Sequence, residues 1–482
     1  MFSLQAWLSD ETAARLPRHE QISRALRAAI LAGHWPAGSR LPATRQLACE
    51  LGHARSTIEQ AYAQLEAEGY LQRRVGAGSF VSLPASLPLR RSPSPPAAAR
   101  LSQRGQAIAD TGACREATLG VGTESRQLFS GQPDSQAFPH ALWGKLLLQR
   151  WRQDGPALMR YGDPQGLPAL RTAIASYLAL ARGVNCQPEQ VLVLSSSQQA
   201  LLLAGQLLLD AGELAWLEEP GYLGARNALL AAGAQLCPVP VDDEGLNTNG
   251  EYPKPKLIYT TPSHQYPLGM AMSLPRRMAL LARARAAGAW IIEDDYDGEF
   301  QYDTHSLPAL QSLDPDGRVI YVGTFSKVLF GSLRLAYMVV PANLVEAFSN
   351  ARTAFDGHSN QLLQAVTADF MAGGHFASHL RQMRLLYQRR RDILLASLAE
   401  HCPALSVRHH SAGLQCAVYT PPGREAGWTT LGRAQGLPLR PLAQFYAGPP
   451  DREGWLMGYA ALSNEEIRRQ IDTLGRILRH SA

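Results

Sequence analysis

The chain has 482 residues, 46% of them hydrophobic and 18% charged, and a formal net charge of +5 at pH 7. That length is too great for one ordinary hydrophobic core and predicts two or three domains, and the composition is that of a soluble globular protein rather than a disordered or fibrous one. The positive charge is small for such a length, so it says little about partners until its distribution along the chain is considered.

Nothing in the sequence indicates export, a membrane span or a metal centre. The six cysteines are scattered without CxxC spacing, and no cysteine–histidine cluster has the spacing of zinc ligands, which favours reduced thiols. The adjacent His409 and His410 would point to opposite faces of a strand and are poorly placed to share a metal. Acidic residues come before any apolar run at the N-terminus, and the apolar segment Ala200–Leu209 is too short for a span. We therefore expect a cytoplasmic protein with no bound metal and no membrane partner.

The N-terminal segment predicts three short helices followed by a basic hairpin. Apolar residues at helical spacing predict helices over His19–Ala32, Thr44–Leu51 and Arg55–Glu68, with glycines near their ends. Two extended runs, Tyr70–Val75 and Ser79–Val81, enclose a Gly-Ala-Gly turn and carry two arginines. Three helices and a basic hairpin in this order indicate a winged helix-turn-helix, which is a DNA-binding fold.

The third helix of this segment has one face for packing and one for a partner. Ile58, Tyr62 and Leu65 form its apolar stripe and must pack inward, which leaves Ser56 and Glu59 facing out. The N-terminal end of the helix can enter a major groove, and the hairpin can lie along a phosphate backbone or reach into a minor groove. The alternative is a small helical module with solvated arginines, and the turn glycine and the Gly-rich basic wing argue against it.

The run GHWPAGSRLPATRQLACELGHARSTIEQAYAQLEAEGYLQRRVGAGSFV resembles the DNA-binding domain of the GntR family, and the match extends over Pro17–Val81. The resemblance implies DNA contacts from Arg45, Arg55, Ser56, Thr57, Arg74 and Gly76. Glu59 departs from the pattern, because some relatives carry an arginine at this position. A glutamate cannot bind phosphate, so it either accepts a hydrogen bond from cytosine N4 or stays solvated, and the solvated state is favoured.

A stretch without apolar periodicity separates this segment from the rest of the chain. Proline and serine dominate Leu83–Asp110, which carries the adjacent Arg90 and Arg91, and such a composition predicts a semi-extended, exposed spacer. We predict a DNA-binding domain over residues 11–83, a linker over residues 84–124 and a larger domain over residues 125–482. The linker would let the DNA-binding domain lie at a distance from the larger domain, across a dimer.

Short, almost continuously apolar strands alternate with helices in the larger domain. The predicted strands are Val191–Leu194, Leu214–Leu217, Leu257–Thr260, Trp290–Ile292 and Val319–Val322. This pattern is typical of an α/β fold with a buried, mostly parallel sheet flanked by helices. Sites in such sheets lie at the carboxyl ends of the strands, so the residues that follow each strand are candidates for a site.

The segments after the first three strands carry groups suited to a phosphorylated aromatic ligand. Ser196 and Ser197 open an apolar helix, where they can cradle a phosphate or act as an ordinary N-cap. Tyr222 follows the second strand and can stack on a planar ring, or it can simply pack half-buried in its loop. The third strand leads into a dense polar loop, TPSHQYPLG, at Thr261–Gly269.

Three carboxylates, Glu293–Asp295, follow the fourth strand and are costly to bury unless they are solvated or paired. Strand geometry puts Asp294 and Tyr296 on one face, where one can reach a protonated ring nitrogen and the other a ring hydroxyl. Metal binding is the rival interpretation of this acidic cluster. It ranks lower because no histidine lies at ligand spacing and the surrounding groups are suited to a phosphate and a ring.

The turn GTFSK, Gly323–Lys327, follows the fifth strand and precedes a strand predicted over Arg334–Val340. A lysine that forms a Schiff base needs a fixed, partly desolvated position, and a phosphate beside it needs hydroxyls, N–H groups and an arginine. On this stretch alone, an ordinary solvated Lys327 is the alternative. A lysine, an acid for a pyridinium nitrogen, a stacking tyrosine and a phosphate cup together specify pyridoxal 5′-phosphate.

The motifs YGDPQGLPALR at Tyr161–Arg171, EDDYDGEF and GTFSK resemble fold-type I aminotransferases from about Phe129 onward, and the whole chain resembles MocR-type regulators, a GntR subfamily. The resemblance implies that Lys327 forms the Schiff base and that four residues surround the ring: Asp294 at the pyridinium nitrogen, Tyr296 at the 3-hydroxyl, Tyr222 stacked on the ring and His264 at its other edge. It also implies a phosphate site made by Ser196, Ser197, Thr324, Ser326 and Arg334, with Tyr161 reaching the phosphate bound by the partner subunit.

Departures from the aminotransferase pattern bear on activity. Leu456 in LMGYA stands where these enzymes hold the substrate carboxylate with an arginine, and a leucine cannot make that bidentate pair. Gly224 stands where some relatives that bind amino acids carry another arginine, and Arg440 in GLPLRPLAQFY is the residue that can substitute. Ser196 stands where glycine is common in the phosphate cradle.

These features favour a DNA-binding transcriptional regulator over an enzyme. Its effector domain would sense pyridoxal 5′-phosphate itself, in vitamin B6 homeostasis, or an amine or amino acid that reacts with it. The alternative is a working aminotransferase with an accessory DNA-binding domain; the missing arginine disfavours it, while a residual half-reaction stays open. A third interpretation is a GntR repressor whose larger domain is a degenerate dimerisation scaffold. The expected partners are an operator in double-stranded DNA, the effector and a second copy of the chain in a homodimer.

Overall fold

The computed structural model describes residues 16–74, 76–82, 101–110, 127–128, 131–302, 308–409 and 411–479. They belong to two compact units, Met1–Arg100 and Leu101–Ala482. Most of the predicted linker, with Arg90 and Arg91, lies outside the described residues, as do His410 and the predicted end of the first hairpin strand at Val75. The predicted domain limits of 11–83, 84–124 and 125–482 remain a prediction.

The first unit contains the three helices and the hairpin that the sequence predicts. In chain order these are α1 (Arg18–Leu31), α2 (Thr44–Leu51), α3 (Arg55–Ala67), β1 (Leu71–Arg74) and β2 (Gly78–Val81). The two strands pair antiparallel, with Leu71 opposite Val81. The helix bounds agree with the predicted ones to within one residue, which is the usual uncertainty of helix ends.

Apolar side chains of α1 and α3 form the small core of this unit. Ile22 of α1 and Ile58, Tyr62 and Leu65 of α3 are fully buried, as their helical spacing predicts. The buried hydroxyl of Tyr62 is satisfied because it donates to the Pro42 carbonyl oxygen at 2.8 Å. Burial of this face fixes α3 with its other face, and its first residues, toward solvent.

An eight-stranded sheet forms the centre of the second unit. From one edge to the other it contains β3 (Val191–Leu194), β10 (Ala336–Val339), β9 (Val319–Thr324), β8 (Trp290–Asp295), β7 (Leu257–Thr260), β4 (Leu214–Glu219), β5 (Gln235–Asp242) and β6 (Gly245–Leu246). Strands β9, β8, β7, β4 and β5 are parallel neighbours, β10 runs against β3 and β9, and β6 runs against β5. The predicted fold class, α/β with a mostly parallel sheet, is confirmed.

Helices pack on this sheet and on a smaller second sheet. In chain order the helices are α4 (Gln103–Asp110), α5 (His140–Leu158), α6 (Pro168–Arg182), α7 (Ser197–Leu208), α8 (Leu223–Ala232), α9 (Leu274–Ala287), α10 (Val345–Phe355), α11 (Gln361–Ala372), α12 (His375–His401), α13 (Glu425–Ala434) and α14 (Asn464–Arg479). Short 3₁₀ segments are Pro188–Gln190, Leu310–Leu313, Gly331–Leu333, Ala342–Leu344 and Leu442–Phe445. The second sheet is antiparallel and consists of β11 (Ser406–Val407), β12 (Gln415–Tyr419) and β13 (Gly454–Gly458).

The central strands of the large sheet are buried on both faces. Every residue of β3, β7 and β9 is buried, which accounts for their continuous apolar runs. The successive residues Ile320 and Tyr321 of β9 point into two different apolar clusters, one containing Leu201 of α7 and the other Ile174 of α6. Polar chemistry in this unit is therefore concentrated at the strand ends and in the loops that follow them.

Some predicted bounds in this unit are wrong. β8 continues to Asp295 instead of ending at Ile292, because buried donors surround its carboxylates. β10 begins at Ala336, since Arg334 has a left-handed backbone that no strand accommodates. The predicted semi-extended spacer includes α4, which begins after Ser102 because the Ser102 hydroxyl accepts a backbone N–H at 3.0 Å as an N-cap.

Candidate cofactor site and nucleic-acid interface

The strand order of the large sheet brings separate segments to one edge. The carboxyl ends of β9, β8, β7 and β4 lie side by side because these strands are parallel neighbours. At the start of β10, Ala336 lies opposite both Leu194 and Thr324, so the residues after β3 and β9 and before β10 meet at this same edge. The edge gathers these predicted residues: Ser196, Ser197, Tyr222, His264, Asp294, Tyr296, Thr324, Ser326, Lys327 and Arg334.

Hydroxyl groups and a helix N-terminus form one end of the site. The Ser196 hydroxyl accepts the Gln199 N–H at 3.2 Å, and Ser197 is the first residue of α7. On the neighbouring segment, the Thr324 hydroxyl accepts the Ser326 N–H at 3.1 Å. The N-cap interpretation of Ser196 is therefore confirmed, and the phosphate interpretation, which uses the N–H groups of the helix start, stays a prediction. The positive end of the helix dipole and these hydroxyls suit a phosphate dianion.

Arg334 joins this end of the site from a strained backbone. It is the one non-glycine residue within the described ranges with φ in the left-handed region, at 52°. An L-residue in that region costs about 1–2 kcal/mol, which is typical of a position held for function. The turn Gly331–Leu333 and the start of β10 hold Arg334 in this geometry, and its side chain is exposed.

Two of the three carboxylates of β8 are bonded to other groups inside the protein. Glu293 accepts backbone N–H groups at 2.7 and 2.8 Å at the start of the short helix Leu310–Leu313. Asp295 pairs with the buried Arg182 at 2.6 Å and accepts the Tyr321 hydroxyl at 2.7 Å. Within the described part of the chain, no three His, Cys, Asp or Glu side chains are grouped so that they could hold a metal ion.

Among the three carboxylates of β8, Asp294 has neither a backbone donor nor an ion pair in the described part of the chain, although Asp295 also has one oxygen, Oδ1, without a hydrogen-bond partner. Asp294 Oδ2 accepts the Tyr259 hydroxyl at 2.9 Å, whereas its buried Oδ1 has no hydrogen-bond partner. Burial, opposed in part by the Tyr259 hydrogen bond, raises the pKa of Asp294 to about 7. A buried carboxylate oxygen without a donor is costly, and a protonated ring nitrogen would both satisfy Oδ1 and favour the ionised form.

The predicted residues His264 and Tyr296 contact each other and Asp297. His264 Nδ1 lies 2.9 Å from Asp297 Oδ1 and 3.0 Å from the Tyr296 hydroxyl, and the two aromatic rings stack with centroids 5.8 Å apart. Burial raises the pKa of Tyr296 well above its ordinary value, so its hydroxyl stays protonated. Tyr296 can therefore donate a hydrogen bond to a ring oxygen from a fixed position.

Lys327 lies half-buried at the centre of these groups. Its Nζ donates to the Gly131 carbonyl oxygen at 2.7 Å. Burial lowers the pKa of Lys327, against the opposing pull of the Asp297 carboxylate, and the positive charge of Arg440 lowers it further. A lysine whose pKa is depressed in this way exposes more of the neutral, nucleophilic amine. The solvated Lys327 of the alternative interpretation does not fit this environment.

Two residues beside Lys327 were not predicted from the sequence. Gly131 has φ of 71°, which favours glycine, and a Cβ there would lie 2.8 Å from Lys327 Nζ, so a larger residue would also displace the amine. Gln415 of β12 is buried, its Oε1 would lie 3.4 Å from the same Cβ, and that oxygen has no hydrogen-bond partner. Gly131 and Gln415 are far from Lys327 in sequence and belong to no quoted motif, so no local signal could have identified them.

Glu218 at the end of β4 was also missed, because the predicted strand stopped one residue earlier. Its carboxylate accepts the hydroxyls of Thr260 and Thr261 at 2.6 Å each and the Thr261 N–H at 2.9 Å. Gln265 donates to the Pro220 carbonyl oxygen at 2.8 Å. These bonds hold the TPSHQYPLG loop against the end of β4 and so fix His264 and the ring of Tyr266.

Tyr222 and Tyr161 occupy contrasting environments. Tyr222 is half-buried, its ring meets the Tyr266 ring edge-on at 5.5 Å, and together with Phe445 it lines a cavity of about 240 Å³. Tyr161 is 99% exposed, with the His358 ring at 6.1 Å as a neighbour. The described part of a single chain therefore does not bring Tyr161 into the gathered edge, and its predicted role toward a partner subunit remains a prediction.

The predicted DNA-contacting residues lie at exposed positions of the first unit. Arg45 of α2 and Arg55 and Ser56 at the start of α3 are exposed, and Thr57 is half-buried. Arg55 Nε lies 2.9 Å from Glu59 Oε1, one helical turn later. Glu59 is half-exposed and forms this ion pair, and the choice between a solvated and a base-contacting role stays a prediction.

The two arginines of the hairpin have different partners. Arg73 lies 3.1 Å from Glu66 and donates to the Glu59 carbonyl oxygen at 3.2 Å, so it fastens the hairpin to α3. Successive strand residues face opposite sides, and the exposed Arg74 guanidinium lies 4.8 Å from the Phe80 ring centroid. Gly76, with φ of 73°, permits the turn. Of the pair, Arg74 is the side chain left for a phosphate.

Comparison with known proteins extends this description. Residues 18–81 match the family model described as bacterial regulatory proteins of the gntR family, and residues 128–474 match aminotransferase class I and II. The chain is 40% identical over 467 residues to the probable rhizopine catabolism regulatory protein MocR of Rhizobium meliloti, covering 96% of this chain and 94% of the relative. It is 28% identical to the pyridoxine biosynthesis transcriptional regulator PdxR of Corynebacterium glutamicum, covering 93% of each.

Fold and site thus define a winged helix-turn-helix joined to a fold-type I aminotransferase domain. The chain belongs to the MocR-type branch of the GntR family of transcriptional regulators. Among solved structures, LysN, the α-aminoadipate aminotransferase of Thermus thermophilus, aligns with a TM-score of 0.72 and 27% identity over 79% of this chain and 97% of the enzyme. That structure is complexed with N-(5′-phosphopyridoxyl)-L-leucine.

The residues of the site fit pyridoxal 5′-phosphate. The unpartnered Asp294 Oδ1 suits a protonated ring nitrogen, and the hydroxyls at the start of α7 and after β9 suit a phosphate. Lys327 supplies the amine that this cofactor requires. Across the described residues, no helix combines the length and the hydropathy that a bilayer crossing needs.

Proposed function

We propose that this chain is a transcriptional regulator that binds pyridoxal 5′-phosphate through Lys327 and changes its affinity for DNA with the state of that site. The observation that carries the proposal is the buried Asp294 Oδ1 near the carboxyl end of β8, at the sheet edge to which Lys327 and the phosphate-binding groups also belong; this oxygen has no hydrogen-bond partner among the described residues. When bound, the cofactor supplies an electrophilic carbonyl carbon conjugated to a pyridine ring. A DNA-binding protein with this site would act in the cytoplasm.

Each residue of the site has a proposed task. Lys327 holds the cofactor covalently, Asp294 keeps its ring nitrogen protonated, Tyr296 donates to its ring oxygen and Tyr222 covers one face. The phosphate is held by a group of five residues: Ser196, Ser197, Thr324, Ser326 and Arg334. His264 positions Tyr296 through the 3.0 Å contact between its Nδ1 and the hydroxyl.

A regulator is favoured over a working aminotransferase because the usual substrate anchor is absent. Leu456 of β13 stands where these enzymes carry an arginine, and it is 1% exposed within an apolar cluster that includes Leu268 and Leu442. Such a side chain contributes nothing to a carboxylate. The full-length relatives at 40% and 28% identity are both named as regulators, which supports the same choice. Aminotransferase activity is the second candidate function, supported by the intact Lys327 site.

We propose a homodimer as the active form. Tyr161 is 99% exposed, and Trp151, Leu148 and Met159 near it in the sequence are also exposed, at 48%, 53% and 74%. Large apolar side chains exposed together are typical of an interface. A second copy of the chain would cover them and carry Tyr161 to the partner's phosphate.

DNA affinity measured with and without pyridoxal 5′-phosphate tests the proposal. The purified protein is first used to select an operator from a random double-stranded library, and fluorescence anisotropy then gives the affinity for it. We expect a visible absorption band on cofactor addition and a change in operator affinity of about tenfold or more. An unchanged operator affinity despite full cofactor loading would contradict the sensor role.

Lys327→Ala is the matching variant, and Lys254→Ala is its control because Lys254 is exposed ahead of β7, outside the gathered edge and outside α5. Loss of the amine should abolish the visible band and weaken cofactor binding at least about tenfold, and the control should behave as the wild type. Steady formation of a keto acid from any amino acid would favour the enzyme over the pure regulator.

A further inference from the structure

We infer that Arg352, which is not among the residues proposed to contact the cofactor, positions the phosphate cradle at the start of α7. It thereby determines how strongly the protein prefers a phosphorylated cofactor over the same ring without its phosphate. The inference rests on the proposed binding of pyridoxal 5′-phosphate at Lys327. It adds a positioning residue to that site and assigns part of the selectivity for phosphate to a buried cluster that adjoins the cradle.

Arg352 is a buried arginine near the end of α10. The residue is 1% exposed, and its Nε lies 3.1 Å from Asp356 Oδ1. Its Nη2 donates to the Ser359 hydroxyl at 3.0 Å, whereas the buried Nη1 has no hydrogen-bond partner among the described residues. A well-packed apolar side chain often stabilises a fold as well as a buried ion pair does, and a buried donor without an acceptor is costly. The presence of this guanidinium therefore points to a task other than packing.

Asp356 connects Arg352 to the turn that precedes α7. Its Oδ2 accepts a side-chain N–H of Gln199 at 2.7 Å, while its Oδ1 is the oxygen that faces Arg352. The Gln199 side chain also accepts the Ser195 backbone N–H at 2.8 Å, and the Gln199 backbone N–H donates to the Ser196 hydroxyl at 3.2 Å. Gln199 is therefore held between the loop after α10 and the cradle, and it fixes both ends of the turn.

Ser359 makes a second connection to the same turn. It is 3% exposed, and its hydroxyl oxygen lies 3.3 Å from that of Ser195. Arginine carries only donors, so the Ser359 oxygen accepts from Arg352 and its hydroxyl proton is left for Ser195. The result is a closed ring of hydrogen bonds, the Arg352 cluster, made of Arg352, Asp356, Gln199, Ser195 and Ser359. No member can move without breaking two bonds, so the cluster holds the turn in one geometry.

The geometry of this turn matters more for a phosphate than for the pyridine ring. The proposed phosphate ligands Ser196 and Ser197 lie within the turn, and N–H groups at a helix start bind an anion only when they point at it. The contacts proposed for the pyridine ring by Asp294 and Tyr296 come from a different strand, β8, and the residue after it. Loss of the Arg352 cluster should therefore weaken phosphate binding and leave the contacts with the pyridine ring in place.

The loop that Arg352 holds is also bonded to the segment that carries Tyr161. Gln364 of α11 is fully buried, donates to the Ser359 carbonyl oxygen at 2.9 Å and accepts the Leu167 N–H at 2.7 Å. Leu167 belongs to the motif YGDPQGLPALR, which begins at Tyr161. Two segments predicted to bind phosphate, the turn before α7 and the Tyr161 segment, are therefore anchored to the same loop.

Paired titrations with pyridoxal 5′-phosphate and pyridoxal test the inference, because the second ligand lacks only the phosphate. Full-length, cofactor-free protein is titrated with each ligand, and the visible absorption band gives both affinities. We expect the wild type to prefer the phosphorylated ligand about a hundredfold or more. Arg352→Gln should lose at least about tenfold of that preference, and its affinity for pyridoxal should stay within about twofold of the wild type. Equal weakening of both ligands would overturn the inference, since it would mark Arg352 as a general support of the fold.

A matched variant controls for the loss of a buried arginine. Arg276 of the same unit is 5% exposed and lies 2.9 Å from Asp242, so Arg276→Gln makes a comparable change away from the cradle. It should leave the preference for phosphate at the wild-type value. In the cofactor-free proteins, hydrogen exchange at the Ser195 and Gln199 backbone N–H groups should be faster in Arg352→Gln than in Arg276→Gln. Equal exchange rates, or an equal loss of preference in the two variants, would contradict the positioning role.

Two milder variants carry the test if Arg352→Gln does not fold. Asp356→Asn presents an amide donor to either Arg352 or Gln199, which are both donors, and Ser359→Ala removes the second connection. Each should lose part of the preference for the phosphorylated ligand and keep its affinity for pyridoxal. A wild-type preference in both variants overturns the inference.

The failure of this inference and that of the proposed function are distinguishable. If the wild type forms the band with both ligands and the variants keep its preference, the positioning role of Arg352 fails and the cofactor site stands. If the wild type binds both ligands equally tightly, the phosphate cradle is wrong, and the inference fails while the site at Lys327 stands. If the wild type forms no band with either ligand, the proposed function fails and this inference fails with it.

Discussion

Two effects shift the pKa of Asp294 in opposite directions. Without a ligand, burial raises its pKa to about 7, so the neutral acid is favoured inside the fold. A protonated ring nitrogen next to Oδ1 favours the carboxylate instead. The same side chain is therefore a source of instability in the empty protein at high pH and a source of affinity in the loaded protein.

Asp294→Asn should separate these two effects. The folded pKa lies above the unfolded value, so the folded state holds more protons between about pH 4 and pH 7 and its stability falls as pH rises through that window. At pH 8 the cofactor-free variant should be more stable than the wild type by on the order of 1–3 kcal/mol, a difference that disappears near pH 4. Urea denaturation at several pH values measures it.

In the cofactor-loaded protein, Asp294→Asn should be unfavourable instead of stabilising. An asparagine cannot pair with a pyridinium nitrogen, so cofactor affinity should fall at least about tenfold. Asp243→Asn, at a carboxylate that is 70% exposed, should change neither quantity. Equal cofactor affinity in the wild type and Asp294→Asn would show that Asp294 does not meet the ring nitrogen.

Several individual residues of the site could be identified from sequence, and others could not. Ser196, Asp294, Tyr296 and Lys327 follow apolar strands directly, and the parallel-sheet rule puts their segments at one edge. Long-range packing brings Gly131 and Gln415 to the site. The role of Gly131 depends on its distance from Lys327, which no local sequence pattern encodes. The left-handed backbone of Arg334 could not be predicted either, because residues with a Cβ rarely adopt a positive φ.

At the scale of elements, α3 carries an exposed ion pair at the end that is predicted to meet DNA. Arg55 and Glu59 are one turn apart at 2.9 Å, and their side chains are 65% and 45% exposed. The pair holds Arg55 toward its own helix, and the carboxylate adds a negative charge at the face that would approach phosphates. Apolar residues at helical spacing predict the helix, but neither they nor the resemblance to GntR proteins could show this pairing.

Glu59→Gln should therefore strengthen DNA binding. Release of Arg55 and removal of one negative charge should raise affinity several-fold at low salt for all sequences and steepen the salt dependence by about one unit of logarithmic slope. Glu50→Gln makes the same charge change on α2, where Glu50 accepts from Gln46 at 3.0 Å, and it controls for net charge. Weaker binding confined to operators with one particular cytosine would instead identify Glu59 as a base-reading residue.

The elements themselves differ in how far sequence determines them. Strands with continuous apolar runs are predictable from composition alone, because burial on both faces requires apolar residues at every position. The predicted strand β8 is three residues too short, because successive acidic residues suggest a loop. In the structure Arg182 and Tyr321 pair with Asp295, and Tyr259 pairs with Asp294. The helix α4 lay in a stretch read as a spacer, and its only local signal was the Ser102 cap.

At the scale of the whole molecule, Tyr161 decides whether the site is complete within one chain. In the described part of a single chain it is 99% exposed and contacts none of the groups at the gathered edge. If it belongs to the phosphate site of the partner subunit, each site is built from two chains. Cofactor binding and dimerisation would then be linked, because ligand affinity is gained only in the assembled state.

Mixed dimers give a direct test of this arrangement. Tyr161→Phe should weaken cofactor binding about tenfold by removing one hydrogen bond to phosphate, and Lys327→Ala should abolish covalent loading. When the two variants are unfolded together and refolded, a heterodimer contains one site with both residues intact and one with neither. A titration of the visible band in purified, differently tagged heterodimers should therefore show half the sites with wild-type affinity. Loading at only the weak affinity of Tyr161→Phe would place Tyr161 in its own chain's site, and wild-type affinity in the Tyr161→Phe homodimer would place it in none.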